Sequence, residues 1–270
     1  MTTDTTTEAA RHLWTHWQSG TTLADLPLDC RPTTRVQGYA VQARLAALSG
    51  RALFGWKIAA TSAVGQAHIN VSGPLAGRLL SGQTFADGAS ISLQGNHMRV
   101  AEPEIAFCMA RDLAPQGRPY DTDEVLAAVA TLHPSLELPD SRFTDFTSAG
   151  EAQLVADNAC AHQFVLGPRA PDHWRSVDLS THVIRAEVTR EDGQRWRRDG
   201  TGAAVLGDPR LALTWLVNEL TALGITLRAG ECVTTGTCMQ PLEIAAGDAV
   251  VADFGVLGVV GMKVLGGELG

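Results

Sequence analysis

Lysine is almost absent from this chain of 270 residues: of its 21 basic residues only Lys57 and Lys263 are lysines, and the others are arginines. Positive charge as a whole is also scarce, since 29 acidic residues leave a formal net charge of -8. A nucleic-acid backbone would be repelled by such a protein, so nucleic acid is an unfavourable partner. The scarcity of lysine makes the two that are present worth examining as functional residues.

Long hydrophobic runs and targeting signals are missing as well. No stretch approaches the roughly 18 uninterrupted apolar residues of a membrane span, and the N-terminal MTTDTTTEAARHLW lacks the basic and apolar regions of a signal peptide. The composition, 45% hydrophobic and 19% charged, is typical of a globular protein. We therefore expect a cytoplasmic protein with no membrane partner, long enough for one large domain or for a domain with a smaller attachment.

Cysteine is limited to five residues, and no two of them form a C-x-x-C motif. An odd number without that spacing makes a disulfide framework or a zinc ribbon an unfavourable interpretation. The sequence instead predicts buried free thiols. The five residues are Cys30, Cys108, Cys160, Cys232 and Cys238.

Several common catalytic motifs are also absent. The chain has no G-x-S-x-G nucleophile motif and no G-x-G-x-x-G after a predicted strand. A Walker A loop is excluded because neither Lys57 nor Lys263 is followed by serine or threonine. His12 and His16 lie four residues apart on a predicted helix, but no third ligand accompanies them, so we interpret them as surface histidines.

The first ninety residues are predicted to be mainly helical. Leu13 and Trp17 occur at helical spacing in a segment that stops at Gly20, and a second apolar pattern of this kind stops at Gly50. A short β-favouring segment surrounds Lys57. The sequence therefore predicts two N-terminal helices and one strand-like segment.

From residue 91 the pattern changes to short β-like runs separated by glycines, which favours a rolled or barrel-like mixed sheet over a regular βαβ array. Two predicted helices interrupt these runs. One has Asp121 as N-cap, Glu124 three residues later and an apolar pattern that reaches Val129. The other begins at an Asp208 cap and is well marked.

The coarse architecture is therefore α+β. We expect a helical N-terminal region over residues 1–90, packed on a β-rich body over residues 91–270, with the two forming one structural unit.

Two glutamates stand one residue apart in the strand-like segment AEPEIAF. Successive side chains of a strand point to opposite faces, so Glu102 and Glu104 share a face while Phe107 points into the core. Glu137, in PSLELPDSR, likewise points away from the core side of its strand. Pro103 lacks a backbone donor and is expected at a sheet edge or an irregularity. Spacing alone leaves two interpretations open, exposed strand glutamates or a three-carboxylate site for a hard dication such as Mg²⁺ or Mn²⁺.

Seven segments follow one another between about Gly38 and Val260. They are GWKIAATS, GPLAGRL, AEPEIAF, PSLELPDSR, VADNACAHQFVLG, WLVNELTALGITLRAGECVTTGT and AAGDAVVADFGVLGVV. Together they resemble the 2-hydroxypenta-2,4-dienoate (2-keto-4-pentenoate) hydratase family. That family includes the related 4-oxalocrotonate decarboxylases and belongs to the fumarylacetoacetate hydrolase superfamily.

The resemblance implies a rolled mixed β-sheet of the fumarylacetoacetase C-terminal type with a helical N-terminal region, assembled as a homo-oligomer. It also implies one divalent metal ion, Mg²⁺ or Mn²⁺, held by Glu102, Glu104 and Glu137, and it identifies Lys57 as the active-site lysine. Asp157 matches as a second candidate catalytic residue, with a turn or helix-cap role as the alternative.

Candidate substrate-binding residues come from the same segments. Asn158 and the TTGT turn at Thr235 and Gly236 match the family, and Arg142 is expected to pair with a carboxylate, either of the protein or of a dicarboxylate substrate. Cys160 stands where serine is common in the family, which removes a hydroxyl group from the vicinity of the site.

Leu75, in GPLAGRL, is the main departure from the hydratase pattern. Hydratases of the family typically carry an acidic residue after this proline, whereas the decarboxylases tend to have an apolar one. Leu75, a candidate substrate-binding residue, is therefore the position that distinguishes hydratase from decarboxylase activity.

Three functions follow from the resemblance. The first is metal-dependent hydration of a 2-hydroxy-2,4-dienoate, through the 2-oxo-enoate, to a 4-hydroxy-2-oxo acid in aromatic or related ring catabolism. A bound cation would support it by stabilising a dienolate. The second is decarboxylation of a 4-oxalocrotonate-type 2-oxo acid, and the third is a catalytically silent scaffold. A complex with a partner decarboxylase or hydratase is also expected.

Overall fold

The computed structural model describes residues 1–266, which form six α-helices and thirteen β-strands within that range. The helices are α1 (Thr3–Ser19), α2 (Arg35–Ser49), α3 (Ala63–His68), α4 (Thr122–Leu126), α5 (Glu151–Ala156) and α6 (Pro209–Ala222). The strands are β1 (Leu53–Ala59), β2 (Leu75–Leu80), β3 (Thr84–Ala86), β4 (Ser90–Ile91), β5 (Val100–Met109), β6 (Val129–Leu138), β7 (Gln163–Leu166), β8 (Val183–Thr189), β9 (Arg195–Thr201), β10 (Cys232–Thr237), β11 (Leu242–Glu243), β12 (Ala249–Asp253) and β13 (Val259–Val264). Across these residues no helix is both long enough and apolar enough to cross a lipid bilayer.

The two long N-terminal helices form as predicted. Thr2 caps α1 by accepting a hydrogen bond from the Thr5 amide, and the helix ends at Gly20, whose φ of 63° is a left-handed conformation that glycine tolerates. α2 is capped by Thr34 and ends at Gly50 in the same way. α2 contacts both α1 and α5, so the N-terminal helices pack against the segment that follows β6.

Of the two later helices, one matches its prediction and the other is shorter. α6 begins as predicted after its Asp208 cap. α4 has the predicted capping box of Asp121 and Glu124, but it contains only five residues, and Val129 begins β6. Assigning Val129 to the helix is therefore wrong. β6 pairs with β5 along most of its length, with Val129 opposite Met109, and this pairing overrides the local apolar pattern.

The strands form two mixed sheets. The larger has the order β2-β1-β10-β5-β6-β7-β3, with β11 paired to β5, and the smaller has the order β4-β13-β12-β8-β9. The pairs β1–β10, β3–β7 and β4–β13 are parallel, and the other pairs are antiparallel. This arrangement confirms the predicted α+β fold with a rolled mixed sheet. Strands β1, β2 and β3 come from the first ninety residues, where the sequence predicted only one strand-like segment, so the larger sheet contains strands from both predicted parts of the chain.

β5 lies between β10 and β6, at the centre of the larger sheet. Ile105 and Phe107 are fully buried in the main hydrophobic cluster, which confirms the core position predicted for Phe107. Pro103 therefore occupies a central strand and not an edge. The expected irregularity is in the neighbouring strand, because the β5–β10 register shifts between Thr234 and Thr237.

The cysteines follow the prediction of free thiols only in part. Cys30, Cys160 and Cys238 are free and buried, whereas Cys108 and Cys232 form a disulfide. These two residues stand opposite each other in the antiparallel β5–β10 pair, although 124 positions separate them in the chain. The prediction is wrong for this pair, because only the strand register brings the two side chains together.

Candidate active site

Three glutamates meet on one face of the larger sheet. Glu102 and Glu137 stand opposite each other in the antiparallel β5–β6 pair, and Glu104 is two residues further along β5. One carboxylate oxygen from each residue lies within 4.8 Å of the other two. Glu104 and Glu137 are fully buried, whereas Glu102 is partly exposed. The structure thus brings together the three residues that the sequence predicts as metal ligands.

The burial of these carboxylates leaves acceptor atoms without donors. Among the described residues, none donates a hydrogen bond to Glu104 Oε1 or Glu137 Oε1, although both atoms are buried. Burial raises the pKa of Glu137 well above its usual value, and burial together with the Glu102 charge raises the pKa of Glu104 to about 8. An all-oxygen set with free buried acceptors fits a hard divalent cation, whose charge would favour the ionised carboxylates.

The β-bulge in β10 supplies the contacts of the second Glu104 oxygen. Thr234 Oγ1 donates a hydrogen bond to Glu104 Oε2, and the Gly236 amide donates to the same oxygen at 2.8 Å. Gly236 has a φ of +108°, and a Cβ at this position would lie 2.2 Å from Thr61 Oγ1, so the bulge requires glycine. Gly236, predicted as a site residue, therefore contacts a candidate metal ligand through its backbone.

Thr235, the other predicted residue of the TTGT turn, makes a different contact. Its Oγ1 donates to the Ile105 carbonyl oxygen at 2.8 Å and ties β10 to β5. Thr234, which is not among the residues predicted from the sequence, contacts Glu104 instead. The signal that could have identified it is strand alternation, since neighbouring residues of β10 face opposite sides of the sheet.

Lys57 reaches the same site from β1. Its buried Nζ lies 3.1 Å from Glu137 Oε2 and donates a hydrogen bond to the Ala159 carbonyl oxygen at 3.2 Å. Burial opposes the positive charge, but the carboxylates of Glu137 and Glu102 outweigh it, so the pKa of Lys57 is raised. The predicted active-site lysine thus lies as a cation beside the three carboxylates.

Asp157 and Arg142 are paired with each other. The Asp157 carboxylate accepts hydrogen bonds from Arg142 Nε, from the Arg142 amide at 2.9 Å and from Ser141 Oγ at 2.7 Å. Burial raises the pKa of Asp157, and the Arg142 charge opposes this rise. The sequence predicts that Arg142 pairs with a carboxylate of the protein or of the substrate. In the structure its partner is a protein carboxylate, that of Asp157.

Asn158 and Cys160 lie in the turn after α5. The Asn158 side chain accepts a hydrogen bond from the Arg78 amide at 2.7 Å and donates one to the Arg78 carbonyl oxygen at 2.9 Å. Cys160 is a buried free thiol, and burial raises its pKa to about 12. The Asn158 side chain therefore attaches the turn to β2. The Cys160 thiol, at the position where serine is common in the family, is neutral at pH 7.

Leu75 is an apolar neighbour of this site. In the antiparallel β1–β2 pair, Leu75 is opposite Ala59, and Gly77 is opposite Lys57. A Cβ built on Gly77 would lie 3.1 Å from Lys57 Cγ. Because residues two apart in a strand share a face, Leu75 lies on the face of the sheet that carries Lys57. Its side chain is buried.

The chain is similar in sequence to bacterial hydratases. It is 37% identical over 207 residues to the 2-hydroxyhexa-2,4-dienoate hydratase of Comamonas testosteroni, a match that covers 76% of this chain and 75% of that protein. It is 34% identical over 265 residues to the 2-keto-4-pentenoate hydratase of Paraburkholderia xenovorans (strain LB400), covering 96% of this chain and 95% of the relative.

The fold is similar to that of the 4-oxalocrotonate decarboxylase from Pseudomonas putida G7, solved in complex with magnesium and adipate. The two structures have a TM-score of 0.87 at 26% sequence identity, covering 98% of this chain and 99% of the decarboxylase. The same decarboxylase, complexed with calcium and acetate, gives a TM-score of 0.85. Residues 81–265 match the fumarylacetoacetate (FAA) hydrolase C-terminal family. With this match over most of its length, and with relatives above 30% identity, the chain belongs to the FAA hydrolase C-terminal family.

Proposed function

We propose that this protein is a divalent-metal-dependent hydratase, which adds water to a 2-hydroxy-2,4-dienoate by way of the 2-oxo-enoate and forms a 4-hydroxy-2-oxo acid. The observation that carries the proposal is the meeting of Glu102, Glu104 and Glu137 with the ammonium group of Lys57. The similarity to two named hydratases supports the reaction class. Catabolism of aromatic or related rings is the setting in which we place it.

The glutamates provide the ligands of the metal ion. Within the described part of the chain the clustered ligand atoms are all carboxylate oxygens, which suit Mg²⁺ or Mn²⁺ better than zinc. When bound, the cation would supply positive charge to the carboxylate and carbonyl oxygens of a 2-oxo acid. The hydrogen bonds from Thr234 and the Gly236 amide hold Glu104 in orientation and leave its other oxygen free for a ligand.

Lys57 provides the second charge of the site. Its Nζ, 3.1 Å from Glu137 Oε2, can hold the carboxylate of the substrate or transfer a proton to or from its carbon chain. Lys57 is buried and Leu75 is a buried apolar residue on the same face of the sheet, so the ammonium group lies in surroundings of low polarity. Such surroundings strengthen its electrostatic attraction to a carboxylate. Catalytic roles for Lys57 and Asp157 remain predictions from the sequence. So do the substrate contacts predicted for Leu75, Arg142, Asn158, Cys160, Thr235 and Gly236.

A second candidate function is decarboxylation of a 4-oxalocrotonate-type 2-oxo acid. Two observations favour it. Leu75 is apolar where hydratases of the family typically have an acid, and the fold matches the Pseudomonas putida decarboxylase over nearly the whole chain. We prefer hydration because a cation held by the three glutamates would supply most of the charge stabilisation that the reaction needs, and because a water molecule can relay a proton that an acidic side chain would otherwise transfer.

A product assay separates the two activities. The protein is treated with EDTA, supplied again with Mg²⁺ or Mn²⁺, and given a 2-hydroxy-2,4-dienoate or a 4-oxalocrotonate. We expect a 4-hydroxy-2-oxo acid from the dienoate, only with the metal added. Release of CO₂ from the oxalocrotonate as the dominant reaction would establish the decarboxylase instead. No turnover of either substrate would favour the silent scaffold.

The assembly and location of the protein also remain predictions. We propose a homo-oligomer in complex with a partner decarboxylase or hydratase, as the sequence resemblance implies. We also propose the cytoplasm as its location. Size measurement of the purified protein, alone and with a candidate partner enzyme, tests the assembly. A monomer at micromolar concentration would contradict the homo-oligomer.

A further inference from the structure

The turn after α5 contains three consecutive residues in the left-handed conformation, and none of them is glycine. Asn158, Ala159 and Cys160 have φ values of 57°, 49° and 59°. Residues other than glycine disfavour this conformation because of their Cβ atom, and asparagine is among the more tolerant of them. Such a turn persists only where the surrounding structure holds it in place.

Arg142 and Asp157 hold the start of the turn. Arg142 donates through Nε to the Asp157 carboxylate and through Nη2 to the Asp157 carbonyl oxygen. Both residues are buried, so these charge-assisted hydrogen bonds are not weakened by competing water. At the far end of the turn, the Asp140 amide donates to the Cys160 carbonyl oxygen at 2.9 Å. The backbone is thus held at both ends.

β2 holds the other side of the turn. The Asn158 side chain makes two hydrogen bonds to the Arg78 backbone, one as acceptor and one as donor. The residue before Arg78 is Gly77, where a Cβ would lie 2.3 Å from the Asn158 carbonyl oxygen and 3.1 Å from Lys57 Cγ. Glycine at this position therefore lets the turn and the lysine stem approach β2 together.

This arrangement aims one carbonyl group at the candidate catalytic lysine. The Ala159 carbonyl oxygen, in the middle of the turn, accepts a hydrogen bond from Lys57 Nζ at 3.2 Å. An ammonium group has three N–H bonds. The Ala159 carbonyl group takes one of them, and Glu137 Oε2 lies 3.1 Å from the same nitrogen as its ion-pair partner, so the turn and β6 together locate Nζ.

We propose that residues 157–160 form a positioning turn, held by Arg142 and by the Arg78 backbone, which fixes Lys57 Nζ beside Glu137 through the Ala159 carbonyl group. The inference rests on the proposed function, in which Lys57 acts on the substrate. Asp157 and Asn158 are then positioning residues that act through Lys57. Neither has to touch the substrate, which differs from the catalytic and substrate-binding roles that the sequence resemblance implies.

Substitution of Asn158 tests the positioning turn. Asn158→Ala removes both hydrogen bonds to β2 and places a less tolerant side chain at positive φ. Asn158→Gly also removes both hydrogen bonds, but glycine tolerates positive φ, so it is the milder variant. We expect kcat to fall by about 10-fold or more in Asn158→Ala and to recover in part in Asn158→Gly. KM and the affinity for Mg²⁺ should stay within a few-fold of the wild-type values, because the glutamates are untouched.

Asp248→Asn is the matched control for loss of stability. Asp248 is another buried carboxylate, with an Arg190 partner and a hydrogen bond from the Ala245 amide, and it lies beside the smaller sheet. This variant should lower the unfolding temperature and leave kcat unchanged. An equal loss of kcat in the control would show that general destabilisation causes the effect, and it would overturn the positioning turn.

The outcomes also separate this inference from the proposed function. Wild-type kcat in Asn158→Ala, with Lys57→Met inactive, would overturn the positioning turn and keep the role of Lys57. Wild-type kcat in Lys57→Met would overturn that role itself. A loss of Mg²⁺ affinity in Asn158→Ala that equals its loss of kcat would overturn positioning through Lys57, because the turn would then act on the metal ligands.

Discussion

The two sheets of this protein use charged residues in opposite ways. In the smaller sheet, Arg185 and Asp199 form an ion pair at 4.0 Å with side chains that are 57% and 49% exposed. In the larger sheet, Lys57 and Glu137 approach to 3.1 Å with side chains that are 3% and 0% exposed. Exposed pairs contribute little to stability, because water competes with them, whereas an uncompensated buried carboxylate is strongly unfavourable. The larger sheet therefore contains buried charges that are unfavourable for folding, and we attribute their presence to function.

A buried charge alone does not identify the site, as Asp248 beside the smaller sheet shows. Its carboxylate is buried but satisfied by Arg190 and by the Ala245 amide. Glu104 and Glu137 differ, because each has a buried oxygen to which no described residue donates. Among the described residues, the distinguishing feature of the site is therefore a pair of buried carboxylates that each keep an unpartnered oxygen, and this contrast can be tested by substitutions on both sheets.

The largest effect is expected from Glu104→Gln. The amide keeps the shape of the side chain but removes a charge from the three-carboxylate set, so metal-dependent turnover should become unmeasurable while the fold is kept. Titration of activity with Mg²⁺, together with circular dichroism, checks both parts. Glu187→Gln, on β8 of the smaller sheet, is the matched control and should be fully active, because Glu187 forms an exposed ion pair with Arg195 far from the three-carboxylate set in sequence and on the other sheet. Wild-type activity and Mg²⁺ affinity in Glu104→Gln would show that the metal ligands are assigned wrongly.

Lys57→Met is expected to lower kcat by about 10²-fold, the usual scale for a proton-transfer group. The affinity for Mg²⁺ should be kept, since the three carboxylates remain. The chain offers a matched control in its only other lysine, because Lys263→Met changes an exposed residue of β13 and should leave kcat as it is. A loss of less than a few-fold in Lys57→Met, with normal metal binding, would assign Lys57 to packing.

The stability of the metal-free protein is expected to fall as the pH rises. The pKa of Glu104 in the folded protein, about 8, lies above its ordinary value of 4.5. The folded state therefore binds the proton of the Glu104 carboxyl group more tightly than the unfolded state does. This proton binding stabilises the folded protein fully below about pH 4.5, and the stabilisation is lost as the pH rises through 8. With EDTA present, the unfolding temperature should fall by several degrees over this window, on the order expected for a few kcal/mol. Added Mg²⁺ should restore more stability at pH 8 than at pH 5, and a metal-free protein that gained stability with pH would contradict the assignment.

Leu75→Asp is expected to change hydratase activity by only a few-fold. This substitution restores the acid that hydratases of the family typically carry, at a position on the same sheet face as Lys57. If water delivery depends on the cation and Lys57, the parent is already active and gains little. Both the dienoate and the oxalocrotonate should be assayed. A gain of several orders of magnitude in hydration, from a nearly inactive parent, would favour the decarboxylase.

The smallest effect is expected from Arg185→Gln in the smaller sheet. Its exposed partner Asp199 stays solvated after the change, so the free energy of unfolding should change by no more than about 1 kcal/mol and kcat should not change. Denaturant unfolding measures the first quantity and the product assay the second. A large loss of stability would show that this exposed ion pair stabilises the smaller sheet as strongly as a buried pair, against the contrast between the two sheets.

Short-range patterns determined much of the fold and the core of the site. The cap of α6 at Asp208 and the glycine stops of α1 and α2 could be read from the chain, because a helix end depends on residues within one turn of it. The common face of Glu102 and Glu104 follows from the two-residue period of a strand. The same period left a three-carboxylate site with Glu137 as one of two interpretations, and the family resemblance selected it and added Lys57.

Long-range pairing decided the rest. The register of β10 against β5 placed Cys108 opposite Cys232 and created the bulge that turns the Gly236 amide toward Glu104. The contact of Asp157 with Arg142, and the left-handed turn that brings the Ala159 carbonyl to Lys57, depend on segments that are distant in the chain. The physical reason is that caps and strand alternation are local properties of the backbone. Which strands become neighbours, and which buried charges then meet, is set by the packing of the whole core.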